Sequence, residues 1–232
     1  GIYHIGFDTK WDRFLNEDGN ANARVETVTY WLNELLGTTP LPAPGSGTSP
    51  LVGSAANPDI TVKEGLNVKL AANAKSLTLA GTAVNGAGNA ADNKLVGNAQ
   101  NNILEGGAGN DTLIGGGGDD TMLGGQGADN MAGGTGNDLY FADNIGDTIT
   151  EDGSALGGTD KVRIGGNVTT YTLGNYIEDA TVDRALATRI TGNGFANAIF
   201  GGSAGDTLLG LGGTDRLNGG AGNDVLDGGD GN

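Results

Sequence analysis

From Gly106 the sequence repeats itself every nine residues. Copies begin at Gly106, Gly115, Gly124 and Gly133. Each sets an aspartate at its sixth position (Asp111, Asp120, Asp129, Asp138) and an apolar or aromatic residue at its eighth (Leu113, Met122, Met131, Tyr140). A strict period makes every copy adopt the same backbone. The first six residues carry glycines that tolerate positive φ, and the last three carry one apolar side chain between smaller or polar ones, so each copy reads as a turn and then a very short strand. A three-residue strand is unstable alone. Stacked as a solenoid, successive copies pair their backbones and bury a column of Leu, Met and Ile. With two copies to a coil, residues 18 apart lie one strand spacing apart, about 4.8 Å. That stacks Asp111 near Asp129 and Asp120 near Asp138.

Carboxylates so close oppose folding and raise one another's pKa unless a cation lies between them. Calcium suits the gap, because it takes six to eight oxygen ligands and accepts backbone carbonyls beside carboxylates. Glycine-rich turns expose such carbonyls without side-chain obstruction. The composition agrees: 28 acidic residues against 12 basic give a net charge of -16, which favours cations and argues against nucleic acid or an anionic membrane as partners. With no cysteine there is neither a disulfide framework nor a thiolate metal site, and the lone histidine, His4, makes a His-rich zinc site unlikely within one chain. No apolar run approaches the roughly 18 residues of a membrane helix, and no secretory signal opens the chain.

The period weakens and returns elsewhere. "GNAADNKLV" and "GNAQNNILE" (residues 88–105) are degenerate copies with Asn93 and Asn102 at the sixth position. Residues 88–141 form a first block. Residues 142–191 replace the repeat by alternating, strand-like stretches such as "DKVRI" and "VTTYTL". A second block, 192–232, resumes with Asn197, Asp206, Asp215 and Asp224 at the sixth position, and with partly displaced glycines before Gly219. Residues 51–87 read as a β-rich leader.

Ahead of them, residues 38–50 have the composition of a linker, and residues 1–37 read as a strand followed by a helix starting near Val25, the tail of an upstream domain. The beginning at Gly1 and the end inside a repeat read as a fragment. Asp18, Asn20, Asn22 and Glu26 stand at EF-hand offsets, but Ala23 and Thr29 occupy the glycine and acid positions, so helix capping is the simpler reading. His4, Asp8 and Glu17 could be remnants of a catalytic cleft, since a strand followed by a helix can end a (β/α)-barrel glycanase, but a structural role is the simpler reading.

The copies resemble the G-G-x-G-x-D-x-U-x nonapeptide of the RTX (repeats-in-toxin) family, a resemblance that covers roughly residues 65–232. It implies an all-β, right-handed parallel β-roll in two blocks, here with a short α/β N-terminal segment, loaded with several calcium ions. Carried onto this chain, the ligands are Asp111, Asp120, Asp129, Asp138, Asp206, Asp215 and Asp224. To these are added the carbonyls of Gly106, Ala108, Asn110, Gly115, Gly117, Asp119, Gly124, Gln126 and Ala128. Turns built on Asn93, Asn102 and Asn197 depart from the motif and are expected to bind weakly or only to cap the roll. The resemblance also implies export by type I secretion machinery and a secreted, extracellular parent without membrane insertion. The chain itself is expected not to be an enzyme. The parent's activity stays open between a hydrolase, with polysaccharide as a candidate substrate, and a structural or adhesive surface protein.

Overall fold

A computed structural model describes residues 59–63, 67–153 and 157–231, together with the backbone of Val25–Glu26 and Ser49–Val52. The described part is an all-β parallel solenoid. One sheet of 11 strands runs its whole length, and facing it are a six-stranded and a four-stranded sheet. Within the repeat blocks consecutive strands alternate between the two sides, so a strand pairs in parallel with the next but one. Leu104 stands opposite Met122, Met122 opposite Tyr140 and Tyr140 opposite Val162. On the other side Leu95, Leu113 and Met131 are likewise in register. The alternation follows from the period: nine residues make half a coil, and two copies close one.

The eighth-position side chains are the core. Leu104, Leu113, Met122, Met131 and Tyr140 are at most 1 % exposed, and the column continues through Val162, Ala180, Ile199, Ile190 and Leu208. Along each sheet of the first block its neighbours are the eighth-position residues of the coils before and after, so each such side chain is enclosed by a short-range rule that the sequence repeats.

The strands of the first block are longer than three residues. Ile103–Ala108, Thr112–Gly117, Thr121–Gln126 and Asn130–Thr135 each span six, because pairing carries on past the apolar residue into the glycines: Gly107 pairs with Gly125, and Ala108 with Gln126. In the second block, where the glycines are displaced, strands such as Thr207–Leu209 keep three residues. There Leu211 stands where other copies have a glycine and adopts φ +76°.

The interruption between the blocks breaks one side only. The six-stranded sheet ends at Thr148–Thr150 and the four-stranded one begins at Thr170–Thr172, while the large sheet passes through Lys161–Ile164 and Asp179–Val182 without a gap. The strands of residues 67–87 lie in the same two sheets. Val25–Glu26, where the sequence spacing predicts the start of a helix, is instead a two-residue strand antiparallel to Ser49–Val52; a sheet edge offers unpaired amides and carbonyls, and an extended segment satisfies them. The remaining expectations for residues 1–37, including the EF-hand offsets and His4, Asp8 and Glu17, and for the linker, lie outside the described residues.

Candidate metal centre

Each sixth-position residue stands immediately before a strand, and its side chain ties two coils together. Oδ1 of Asp111 accepts the amide of Asn93, and Oδ1 of Asp129 that of Asp111, both at 2.7 Å; Asp147 takes that of Asp129 at 3.1 Å. A second column runs in the same way, from Asn102 to Asp120 and from Asp120 to Asp138, both at 2.7 Å, then to Asp160 and Glu178 at 2.8 Å. In the second block Asp206 accepts from Thr188, Asp224 from Asp206 and Asp215 from Asn197. The stacking of Asp111 near Asp129 and of Asp120 near Asp138 is therefore present.

These bonds use one oxygen of each carboxylate. The other, Oδ2, is buried without a hydrogen-bond partner in Asp111, Asp120, Asp129, Asp138 and Asp215. A buried acceptor left unsatisfied costs about 1–3 kcal/mol, more for a charged group. Burial pushes Asp120 up to about 7, and Asp111 and Asp138 to about 6; the donated amides offset this in part, and stacked or neighbouring carboxylates add to it. Asp129 is raised for the same reasons. Asp206 differs, since its Oδ2 accepts the amide of Gly202 at 2.7 Å.

The glycines serve two purposes. Those at the second and fourth positions take left-handed conformations, as in Gly107 (φ +110°) and Gly109 (φ +105°). The first-position glycine does not, and is needed for space: a Cβ on Gly106, Gly115, Gly124 or Gly133 would overlap Oδ2 of the aspartate five residues later. The unpartnered oxygen thus lies in a notch that only glycine leaves open. First-position carbonyls, those of Gly106, Gly115 and Gly124, project onto the first-position glycines one coil earlier. Of the other expected carbonyl ligands, that of Gln126 accepts the amide of Gly109 at 2.8 Å, while Ala108 and Gly117 sit in paired strands. At the fifth position two side chains are also engaged. Asn110 and Asp119 accept the amides of Ala128 and Asn137, making a second, exposed ladder.

Where asparagine replaces aspartate the notch closes itself. The amide nitrogen of Asn102 donates to the carbonyls of Ala83 and Val84, and that of Asn197 to Ile177 and Glu178, while each Oδ1 accepts the amide four residues earlier. These side chains satisfy both their polar atoms without an ion, as capping residues should.

Sequence reasoning missed Asp147, Asp160 and Glu178, which carry the ladders into residues 142–191, and Glu151, which lies beside Asp138 and Asp160. The tails "DTI" and "DKV" at Asp147 and Asp160 keep the spacing of aspartate to apolar residue, and were the available signal. The donor set throughout is oxygen alone, anionic, and arranged around notches with unsatisfied acceptors. That chemistry fits a hard cation such as calcium and offers nothing to a soft one. A family model described as an RTX calcium-binding nonapeptide repeat (4 copies) matches residues 87–122, 108–140 and 200–232. No curated protein matches the chain.

Proposed function

Residues 87–140 and 200–232 of this chain are RTX calcium-binding nonapeptide repeats, and from that premise we propose that the chain is a calcium-loaded folding module of a secreted protein. The observation that carries this reading is the set of five buried aspartate Oδ2 atoms without a partner among the described residues. Asp111, Asp120, Asp129 and Asp138 would hold the ions of the first block, helped by carbonyls of the glycine turns, and Asp215 with Asp206 and Asp224 those of the second. Bound calcium supplies the positive charge that these stacked carboxylates lack.

Metal binding and folding are then one process, since the unfolded chain has no preformed site. At low cytosolic calcium the net charge of -16 and the uncompensated ladders keep the chain open, a form suited to passage through type I secretion machinery. Outside the cell, where modules of this kind bind with dissociation constants of about 10⁻⁴ to 10⁻³ M, the roll closes. The repeats act as structure, and catalysis or surface attachment belongs to other parts of the parent protein.

A calcium titration followed by far-UV circular dichroism, with magnesium as control, tests this. A cooperative gain of β signal in millimolar calcium and none in magnesium is expected. A spectrum indifferent to calcium would refute it.

A further inference from the structure

At residue 151 the repeat places glutamate where other copies have their first glycine. The pairing of Met131 with Ile149 and of Ala132 with Thr150 puts Glu151 one coil beyond Gly133. A Cβ on Gly133 would overlap both Oδ2 of Asp138 and the hydroxyl of Tyr140, so those two atoms face the same notch. Glu151 reaches this notch from the next coil, and its Oε1 accepts the hydroxyl of Tyr140.

The insertion makes room for it. Asp138 follows Gly133 by five residues, but Asp160 follows Glu151 by nine, because the ladder step from Asp138 to Asp160 spans 22 residues where other steps span 18. One carboxylate oxygen from each of Asp138, Glu151 and Asp160 then falls within 4.8 Å of the others. Among the described residues no lysine or arginine is ion-paired with any of the three. Independently of the cluster, Asp138 is 2 % exposed and its Oδ2, turned into this notch, has no hydrogen-bond donor.

We propose that Asp138, Glu151 and Asp160, with the Tyr140 hydroxyl at their side, form a side-chain site for a hard divalent cation at the junction of the first block and the interruption. It differs from the glycine-turn sites in drawing three carboxylates together. Three anionic oxygens at this spacing match the hard-donor preference of calcium, and burial intensifies their mutual repulsion when no cation is present. The proposal does not depend on the nonapeptide turns binding calcium.

Terbium, a luminescent stand-in for calcium, reads this site because a tyrosine ring beside the ion sensitises its emission. In the full chain at saturating metal, Glu151→Gln should bind one calcium ion fewer by equilibrium dialysis and lose the Tyr140 share of the tyrosine-excited terbium emission, the other four tyrosines remaining. Glutamine still accepts the Tyr140 hydroxyl, so the fold is retained. Tyr140→Phe, which keeps the ring in the core and all three carboxylates, should bind the same number of ions and lose the same emission. Unchanged ion number in Glu151→Gln, or unchanged emission in Tyr140→Phe, overturns the proposal. Either result leaves the calcium-driven dichroism of the turns untouched, so the two readings fail separately.

Discussion

The amide of Asp120 donates to Oδ1 of Asp138 at 2.7 Å across one coil, while Oδ2 of the same Asp138 carboxylate has no donor. Each carboxylate is thus half engaged: one oxygen holds the coils in register and the other is left for a cation. The asparagines at the block edges show the alternative, since Asn102 fills both roles itself.

Asp120→Asn should therefore move this turn from the first state to the second. The new amide nitrogen can donate to the carbonyls of residues 101 and 102, as Asn102 does one coil earlier. Removing the unsatisfied Oδ2 relieves about 1–3 kcal/mol, and losing the Oδ1 that accepts the Asn102 amide costs a similar amount, so in the limit of zero calcium the stability of the roll should change little. Its apparent calcium affinity should fall by roughly 10–100-fold, the loss that follows even when only an outer-shell partner is removed. Chemical denaturation over a range of calcium concentrations, extrapolated to zero, measures both, and a variant as strongly destabilised at the zero-calcium limit as at saturation would contradict the ladder's double role.

Acidity should replace calcium in part. Asp111 and Asp138 are raised from an ordinary 3.8 to about 6, and Asp120 and Asp160 to about 7, chiefly by burial. A carboxyl whose pKa is higher folded than unfolded binds its proton more tightly in the roll. Its contribution is complete below about pH 4 and lost as pH rises through 6 to 7. The calcium-free chain should accordingly show more β signal by far-UV circular dichroism at pH 5 than at pH 8, and added calcium should increase that signal more at pH 8, where protons do not compete. Dichroism in metal-stripped buffer decides the sign; more calcium-free β signal at pH 8 would mean that the carboxylates are not strained by burial.

Gly115→Ala should be damaging although Gly115 lies outside the left-handed region. The added Cβ would overlap Oδ2 of Asp120 and come within 2.7 Å of the Gly133 carbonyl. Overpacking of this kind costs about 1–3 kcal/mol, and it blocks the notch as well, so the calcium midpoint should rise with the loss of stability. Gly165→Ala, where a Cβ meets nothing within 4 Å, is the matched control, expected to change the midpoint and the melting temperature little.

How far these relationships were legible depended on whether they recur. The period alone located the core column from Leu113 to Tyr140 and the stacking of aspartates 18 residues apart, because a solenoid converts a sequence interval into a spatial one. The first-position glycine was legible as a glycine but not for its reason: it reads as conformational freedom, yet its role is to leave space for a carboxylate. Asp147 and Asp160 were obscured once the surrounding glycines disappeared and the longer step to Asp160 put the ladder out of phase. Glu151 is invisible to any periodic reading, since it acts by occupying a position that the repeat reserves for glycine.

Arg184 belongs to this last class and yields a test that calcium should not affect. The ladder position before the strand Arg189–Thr191 is held by Thr188, whose amide donates to Asp206 but which brings no carboxylate. Beside it the Arg184 guanidinium donates to the carbonyls of Gly166 and Val168 and to the Thr188 hydroxyl. A tethered cation thus gathers backbone carbonyls in a turn that lacks the aspartate. Hydrogen bonds to a charged group contribute about 1.5–3 kcal/mol each at most, and this side chain is partly exposed, so Arg184→Ala should destabilise the roll by about 1–3 kcal/mol. The deficit should be the same at low and at saturating millimolar calcium, because no ion ligand is lost. If saturating calcium restored the stability of Arg184→Ala, the guanidinium would instead be competing with an ion for those carbonyls, and this turn would have to be counted among the calcium sites.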